Sequence, residues 1–103
     1  MSKISLIAKL TAAEGKADEL RAAMGTLIAA ADEEDGLEVY SVHADSADAN
    51  TFYFFELYRD QAALDVHGKG ERMKPAMKAL GSMLGGRPDV TMMSPVAAKG
   101  LDV

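Results

Sequence analysis

Two side chains in this sequence, His67 and Glu56, are candidates for moving protons. His67 ends the segment QAALDVH, where helical spacing would place it on one face with Ala63 and Leu64. Imidazole titrates near neutral pH, so His67 could act as a general base or donate a hydrogen bond to a bound oxygen. A histidine on an apolar helix face can also be part of an ordinary core, and the sequence leaves both interpretations open.

Glu56 lies in the run TFYFFELY, residues 51–58, which predicts a strand. Alternation along that strand places Glu56 on one face with Phe54 and Tyr58. A carboxyl group buried among aromatic rings without a partner would have a raised pKa. The alternative is an ordinary ion pair with one of three cations, which are Arg59, Arg72 and Lys74.

Large aromatic and thioether side chains are expected to surround these two groups. The residues that could line such a pocket are Tyr40, Phe52, Phe54, Tyr58, Met73 and Met77. Aromatic rings and flexible thioethers suit a pocket for a flat organic ligand. The same residues would also build a plain hydrophobic core, and the sequence does not separate the two.

The composition limits the classes of protein to consider. The chain has 103 residues, a net charge of -5 and a pI of about 4.9, and we expect one domain spanning residues 1–103. An acidic surface repels phosphate backbones, so we expect no nucleic-acid partner. Neither a basic amphipathic stretch nor a long apolar run is present, so we expect no membrane contact and a cytoplasmic location.

Several common cofactor and metal motifs are missing from the sequence. The chain has no cysteine, and its two histidines, His43 and His67, are not at a metal-ligand spacing. There is no GxGxxG dinucleotide motif, no P-loop and no GxSxG nucleophile motif. We therefore expect no bound metal, nucleotide or flavin, and predict that any chemistry proceeds without a cofactor.

The hydrophobic pattern predicts an α+β fold. Strands are expected at 3–10, 37–44, 51–58 and 89–96, and helices at 16–34, 61–67 and 71–84. The order β-α-β-β-α-α-β is the split βαβ arrangement of ferredoxin-like folds, with a four-stranded antiparallel sheet and helices on one face. Gly36 is expected to end the first helix, and the acidic run 32–35 before it is expected to be solvated.

The third strand is apolar on both faces. Phe52, Phe54 and Tyr58 alternate with Tyr53 and Phe55. One face should pack on the chain's own helices, and the other needs a second cover. We therefore predict a homodimer in which two sheets pack against each other.

The run FYFFELYRDQAALDVHGKGERMKPAMKAL resembles the antibiotic biosynthesis monooxygenase (ABM) domain family, most specifically at Glu56-Leu-Tyr58 and from Ala63 to His67. The resemblance extends over nearly the whole chain. It implies a dimeric α+β barrel with a pocket between sheet and helices in each subunit. Family members include quinol and polyketide-anthrone oxygenases that use neither metal nor flavin. By this resemblance, His67 matches the family's helix histidine, and Glu56 and Tyr58 match its strand-end positions.

The resemblance implies a reaction in which the substrate supplies the electrons. The enzyme removes a proton from an electron-rich phenol, and the resulting anion reduces O2. The first hypothesis is therefore a cofactor-independent monooxygenase that uses O2 to oxidise a quinol or polycyclic phenol. Some family oxygenases and the related haem-degrading enzymes rely on a Trp and an Asn in the pocket. The chain has no Trp, and its one Asn, Asn50, lies in the predicted hairpin turn, so we expect no haem degradation, and the polyketide-oxygenase pocket is not reproduced intact.

Two other functions stay open. An isomerase or other proton-transfer enzyme on a small phosphorylated or polar metabolite could use His67 and Glu56 equally well. It would need a cation near His67, and the candidates are Arg59, Lys69 and Arg72. The third hypothesis is a non-catalytic dimer that binds a ligand and keeps it when His67 is replaced.

Overall fold

The computed structural model confirms the predicted α+β architecture. It describes residues 2–69 and 73–103, apart from the side chains at positions 68, 69, 73, 74 and 76. The elements are β1 (Ile4–Thr11), α1 (Ala17–Ala30), β2 (Leu37–Ala44), β3 (Thr51–Tyr58), α2 (Gln61–Lys69), α3 (Met73–Gly81) and β4 (Asp89–Met93). The strands form one antiparallel sheet in the order β2-β3-β1-β4. Within the described ranges, no helix has the length and apolar character needed to span a membrane.

β3 lies inside the sheet, between β1 and β2. All eight of its residues pair with β1, beginning with Ile4 opposite Tyr58. Its pairing with β2 shifts register once, near Leu37. This inner position satisfies the backbone hydrogen bonds of β3 along both edges but covers neither face, so the apolar side chains on its outer face need a separate cover.

The helices cover one face of the sheet, and the core lies between them. Alternation along β3 turns Phe54, Glu56 and Tyr58 toward the helices, and all three are buried. From α1, the fully buried residues at helical spacing are Leu20, Met24 and Leu27. Burying an apolar side chain of this size stabilises the fold by about 1.5–3 kcal/mol.

α1 ends at Ala30, earlier than the predicted end at residue 34. Its last turn has no basic residue, and the acidic run 32–35 would lie at the negative end of the helix dipole, which disfavours further helix. The chain instead leaves the helix through turns, in which the Glu34 N–H donates to the Ala31 carbonyl at 3.0 Å. This early end lets the Glu34 side chain reach α2.

Two later boundaries also differ from the prediction. α3 ends at Gly81, and Leu84 instead forms an isolated bridge to the residue that follows β1. β4 ends at Met93, shortly before Pro95, which has no N–H to donate to a neighbouring strand. The predicted start of the last helix, at residue 71, lies outside the described residues.

The C-terminal segment lies against part of the outer sheet face. Lys3 Nζ donates to the Asp102 carbonyl at 2.6 Å and pairs with Glu38 Oε1 at 2.6 Å. Leu57, on the outer face of β3, is only 2% exposed and lines a small groove with Leu101. The chain itself therefore covers part of the face that the sequence suggested a second subunit would cover.

Gly36 allows α2 to approach the segment between α1 and β2. A Cβ atom built on Gly36 would lie 2.5 Å from the Cβ of Ala63, closer than such atoms come in real structures. The backbone N–H of Arg59 donates to the Gly36 carbonyl at 2.8 Å. The prediction that Gly36 ends the first helix is wrong, because the helix has already ended; this glycine is needed for close packing.

We predict that Gly36→Ala lowers the free energy of unfolding by about 1–3 kcal/mol, because the added methyl group overpacks the contact with Ala63. Gly25→Ala is the matched control. Gly25 lies inside α1 with nothing within 4 Å of a built Cβ, so alanine there should stabilise the protein by about 0.5–1 kcal/mol. Urea denaturation measures both changes, and effects of the same sign and size would contradict the close approach.

Candidate active site

A cavity of about 420 Å³ lies between the helix face of the sheet and the helices. Most of its wall is apolar, with Leu6 and Ala8 of β1 on the sheet side. Among the described side chains, the polar ones that reach it are Tyr40, Glu56, Tyr58 and His67. An apolar wall with a few convergent polar groups is typical of a small-molecule site, for which volumes of about 300–1,000 Å³ are usual.

The cavity brings together most of the residues that the sequence proposed for the site. Those that line it are Tyr40, Phe54, Glu56, Tyr58, His67 and Met77. Phe52 does not line it, because this side chain is 2% exposed in the core and the Arg21 guanidinium lies 5.4 Å from its ring centroid. The Met73 side chain lies outside the described residues.

Strand pairing positions the polar groups on the sheet side. Tyr40 of β2 lies opposite Glu56 of β3 in the register of the sheet. The Tyr40 ring stacks on Phe54 with the centroids 5.3 Å apart. Tyr58 follows Glu56 by two residues, so both side chains point to the same face. These four residues therefore form one continuous patch of the cavity wall.

α2 positions His67 on the helix side. The helix begins after Asp60, whose Oδ1 accepts a hydrogen bond from the Ala63 N–H at 2.9 Å, as an N-cap residue does. His67 follows Ala63 by one helical turn and therefore lies on the same side of the helix. Ala63 packs against Gly36. The close approach of α2 to the α1–β2 segment therefore also determines how far the His67 side chain reaches toward the sheet.

His67 lies between two carboxyl groups. Its Nδ1 is 3.0 Å and 3.2 Å from the two carboxylate oxygens of Glu34, and its Nε2 is 3.7 Å from Glu56 Oε1. The contact between Nδ1 and Glu34 has hydrogen-bond length, whereas the separation between Nε2 and Glu56 is too long for a hydrogen bond. Tyr40 meets the imidazole edge-on with ring centroids 5.1 Å apart, and the Tyr58 ring centroid is 5.7 Å away.

Glu56 is a buried carboxyl group at the base of the cavity. Removal from water raises its pKa above the ordinary 4.5, because burial disfavours the charged form. The hydrogen bond from Tyr58 and the nearby His67 oppose this rise, and the charge of Glu34 adds to it. The Tyr58 O–H donates to Glu56 Oε1. The net effect is a carboxyl group that holds its proton at a higher pH than usual.

The alternative interpretation of Glu56, an ion pair with a neighbouring cation, has no support in the described part of the chain. Arg59 faces Asp60 instead, with its Nε 3.7 Å from Oδ2. The other two cations considered, Arg72 and the side chain of Lys74, lie outside the described residues.

The two phenols of the cavity are hydrogen-bond donors. Burial raises the pKa of both Tyr40 and Tyr58, and the hydrogen bond to Glu56 further raises that of Tyr58. Both side chains therefore stay protonated at neutral pH. A tyrosinate is therefore not available as a base at neutral pH, and His67 is the candidate for that role.

Glu34 is the residue of this cluster that the sequence did not indicate. It lies in the acidic run that was expected to be solvated, yet its side chain is 18% exposed and contacts His67. The two residues are 33 positions apart in the chain, so no local spacing relates them. Only the early end of α1 and the packing of α2 bring them together.

The arrangement suits proton transfer inside an apolar enclosure. One imidazole nitrogen faces the cavity, a carboxyl group with a raised pKa lies next to it, and the Tyr40 phenol can donate to a bound oxygen. In the described residues, no group of three or more His, Cys, Asp or Glu side chains is arranged to hold a metal ion. The fold and the cavity thus define a small α+β protein with a largely apolar cavity in which a histidine, a carboxyl group and two phenols converge.

Comparison with known proteins places this chain in a family. The family model described as antibiotic biosynthesis monooxygenase matches residues 3–79, well over half of the chain. The chain therefore belongs to the antibiotic biosynthesis monooxygenase family, as its resemblance suggested. The matched range includes all four polar residues of the cavity.

Solved structures share the fold across nearly the whole chain. PA3566 from Pseudomonas aeruginosa is 30% identical, with a TM-score of 0.85 over 94% of this chain and 97% of that one. A Caulobacter crescentus protein, provisionally named an antibiotic biosynthesis monooxygenase, is 27% identical, with a TM-score of 0.88 over 93% and 92% of the two chains.

A curated relative matches a shorter stretch. An uncharacterised protein of Synechocystis sp. is 40% identical over 52 residues, which are 50% of this chain and 35% of that protein. The matched part of the chain thus spans about a third of that relative, and its name assigns no activity.

We predict that Glu56→Gln removes a pH-dependent loss of stability. The raised pKa means that folded protein keeps the Glu56 proton while unfolded chains release theirs above 4.5. The contribution of Glu56 to the free energy of unfolding of the wild type is therefore fully present below pH 4.5. It is lost as the pH rises through the higher pKa of Glu56 in the folded state. Glutamine has no proton to lose, so the variant should gain relative to wild type as the pH rises.

Urea denaturation between about pH 4 and pH 8 measures this difference. Glu19→Gln is the control, because the Glu19 side chain is 57% exposed and its charge stays in water. A wild-type protein that gains stability relative to Glu56→Gln as the pH rises would show that the folded pKa of Glu56 is lowered instead.

Proposed function

We propose that this protein is a cofactor-independent monooxygenase that oxidises a quinol or polycyclic phenol with O2. The observation that supports it is a largely apolar cavity in which His67 Nε2, on the helix side, lies 3.7 Å from the Glu56 carboxyl group on the sheet side. Family membership supports the same reaction class. The substrate would lie against Phe54, with its hydroxyl group directed to His67.

The first step is removal of a phenolic proton by His67 Nε2. The resulting anion is electron-rich at ring carbons conjugated with the oxygen, and these carbons can give electrons to O2. A C–O bond then forms, giving a peroxide that takes up a proton. Loss of the ring-carbon proton and cleavage of the O–O bond leave a carbonyl group and one molecule of water. One oxygen atom enters the product, and the substrate supplies all four electrons that reduce O2.

The remaining side chains have supporting roles in this scheme. The protonated Tyr40 can donate a hydrogen bond to the developing oxygen anion, whereas the Tyr58 O–H is already donated to Glu56. Burial raises the pKa of Glu56, which weakens the negative charge that would otherwise lie beside that anion. The apolar wall, which includes Leu64 and Met77, excludes water that would compete for the base and quench reactive intermediates.

The described wall of the cavity favours this function over an isomerase of a phosphorylated metabolite. Such an enzyme needs a cation to hold the phosphate, and apart from His67 no cationic side chain lines the described cavity. The Arg59 side chain is 58% exposed and faces Asp60. The two other candidates for this role, Lys69 and Arg72, lie outside the described side chains.

We predict that the protein consumes O2 in the presence of a suitable member of a panel of naphthohydroquinones and anthrones. His67→Gln should lower kcat by about 10²–10⁴-fold, the range associated with loss of a general base. His43→Gln is the matched control, since His43 is exposed on β2 and does not line the cavity. Oxygen-electrode kinetics and mass spectrometry of the product measure the activity.

The outcomes of this experiment test the role of His67 and separate a monooxygenase from a non-catalytic dimer and from an oxidase. Oxygen uptake that is unchanged in His67→Gln would contradict a role for this residue as the base. Tight binding of the phenols without any oxygen uptake would indicate the non-catalytic ligand-binding dimer. Uptake that yields only hydrogen peroxide and quinone, with no oxygen atom incorporated, would show an oxidase and contradict the monooxygenase reaction.

We also propose that the protein is a homodimer. The outer face of the sheet carries Ile7, which is 38% exposed, directly opposite Phe55 in the strand register. A second sheet packed on this face would bury both side chains. The C-terminal segment covers Leu57 but leaves Ile7 exposed, so part of the apolar outer face still needs a partner.

We predict a dimer by light scattering at micromolar concentration, and a shift toward monomer for Ile7→Asp, because a buried charge opposes association. Val66→Asp is the control: Val66 is 62% exposed on α2, away from the outer sheet face, and should leave the dimer intact. A wild-type monomer at this concentration would refute the proposal.

A further inference from the structure

We propose that Glu34 is a positioning residue for His67, acting on the imidazole from the solvent side while the substrate occupies the other side. The Glu34 carboxylate would hold a proton on His67 Nδ1 and so direct the lone pair of Nε2 into the cavity. The effect on turnover rests on the proposed function, whereas the effect on the imidazole does not.

The imidazole of His67 separates two compartments. Its Nε2 faces Glu56 and the cavity, and its Nδ1 faces Glu34. Glu34 does not line the cavity, but it lines two open surface grooves of about 380 Å³ each. The Glu34 carboxyl group therefore contacts water on one side and the imidazole on the other.

The geometry selects one tautomer of neutral His67. A carboxylate can only accept a hydrogen bond, so its contact at 3.0 Å requires a proton on Nδ1. Glu56 could in principle favour the opposite tautomer, but it is 3.7 Å from Nε2 and already accepts the Tyr58 O–H. The shorter contact, in which both Glu34 oxygens take part, therefore determines which ring nitrogen of neutral His67 carries the proton.

The same contact also affects the charged state of the base. When Nε2 takes a proton from the substrate, the imidazolium that forms is stabilised by the negative charge of Glu34. Among the described residues, the titratable groups that face His67 are Glu34 from the α1–β2 segment, Tyr40 from β2, and Glu56 and Tyr58 from β3. Of the two carboxyl groups, Glu34 is the more exposed, with 18% of its side chain accessible against 10% for Glu56.

The direct test is ¹⁵N NMR of the imidazole in the unliganded protein, which distinguishes the two neutral tautomers by the shifts of the ring nitrogens. His67 should be the Nδ1–H tautomer in wild type, with His43→Gln used to assign the signals. Glu34→Gln should reduce this tautomer strongly, because a glutamine amide can donate as well as accept. Asp32→Asn, an exposed neighbour with the same loss of charge, should leave it unchanged. An Nε2–H tautomer in wild type, or no change in Glu34→Gln, would overturn the proposal.

A second test uses turnover. Glu34→Gln should lower kcat by about tenfold or more, as loss of a base-orienting carboxylate does, with little change in KM. Glu34→Asp should recover part of the rate. Glu34→Ala should be rescued by added formate or acetate, since the open grooves admit a small carboxylate, whereas a purely structural role would not allow rescue.

The two tests fail in distinguishable ways. If wild type shows no oxygen uptake but the tautomer responds to Glu34→Gln, the proposed function fails and the positioning role stands. If wild type is active and Glu34→Gln is equally active while remaining folded by circular dichroism, the positioning role fails and the proposed function stands. Rescue of Glu34→Ala by chloride at the same ionic strength would show a salt effect and would also count against the proposal.

Discussion

The pairing of β3 on both of its sides is the constraint on which the rest of the structure depends. Once β1 and β2 satisfy its backbone hydrogen bonds, the two-residue period of a strand fixes which side chains meet the helices. Phe54, Glu56 and Tyr58 must then point inward together. A slip of one residue would turn Phe55 and Leu57 into the cavity and place the carboxyl group on the outer face.

Burying Glu56 in this position is unfavourable, and the surrounding groups offset only part of that cost. Tyr58 donates to the carboxyl group, and His67 lies just beyond hydrogen-bond distance. In the described part of the chain, no buried side-chain nitrogen or oxygen lacks a partner. The cluster is therefore a satisfied polar network in an apolar wall, and such networks make a site rigid because any displacement leaves a buried group unpaired.

Much of the fold follows from periodic patterns in the sequence, but the site follows only partly. Alternation in β3 and helical spacing in α1 each predict an element and its buried face. These predictions succeed because apolar side chains at that spacing lie on one face, and that face is the one that packs in the core. Phe52 shows the limit: it shares a face with Phe54, yet its place along the strand puts it under Arg21, outside the cavity. Glu34 could not be predicted, because its role depends on where α1 ends and how deeply α2 packs.

The short length of α2 links the binding of a ligand to the order of the protein. A helix of nine residues is shorter than an isolated helix needs to be stable in water, so α2 depends on its packing at Ala63 and on the contact of His67 with Glu34. A ligand that touches His67 and Leu64 adds to that packing. Ligand binding should therefore stabilise α2 and slow amide hydrogen exchange in this helix. Ligand affinity and the local stability of α2 then change together.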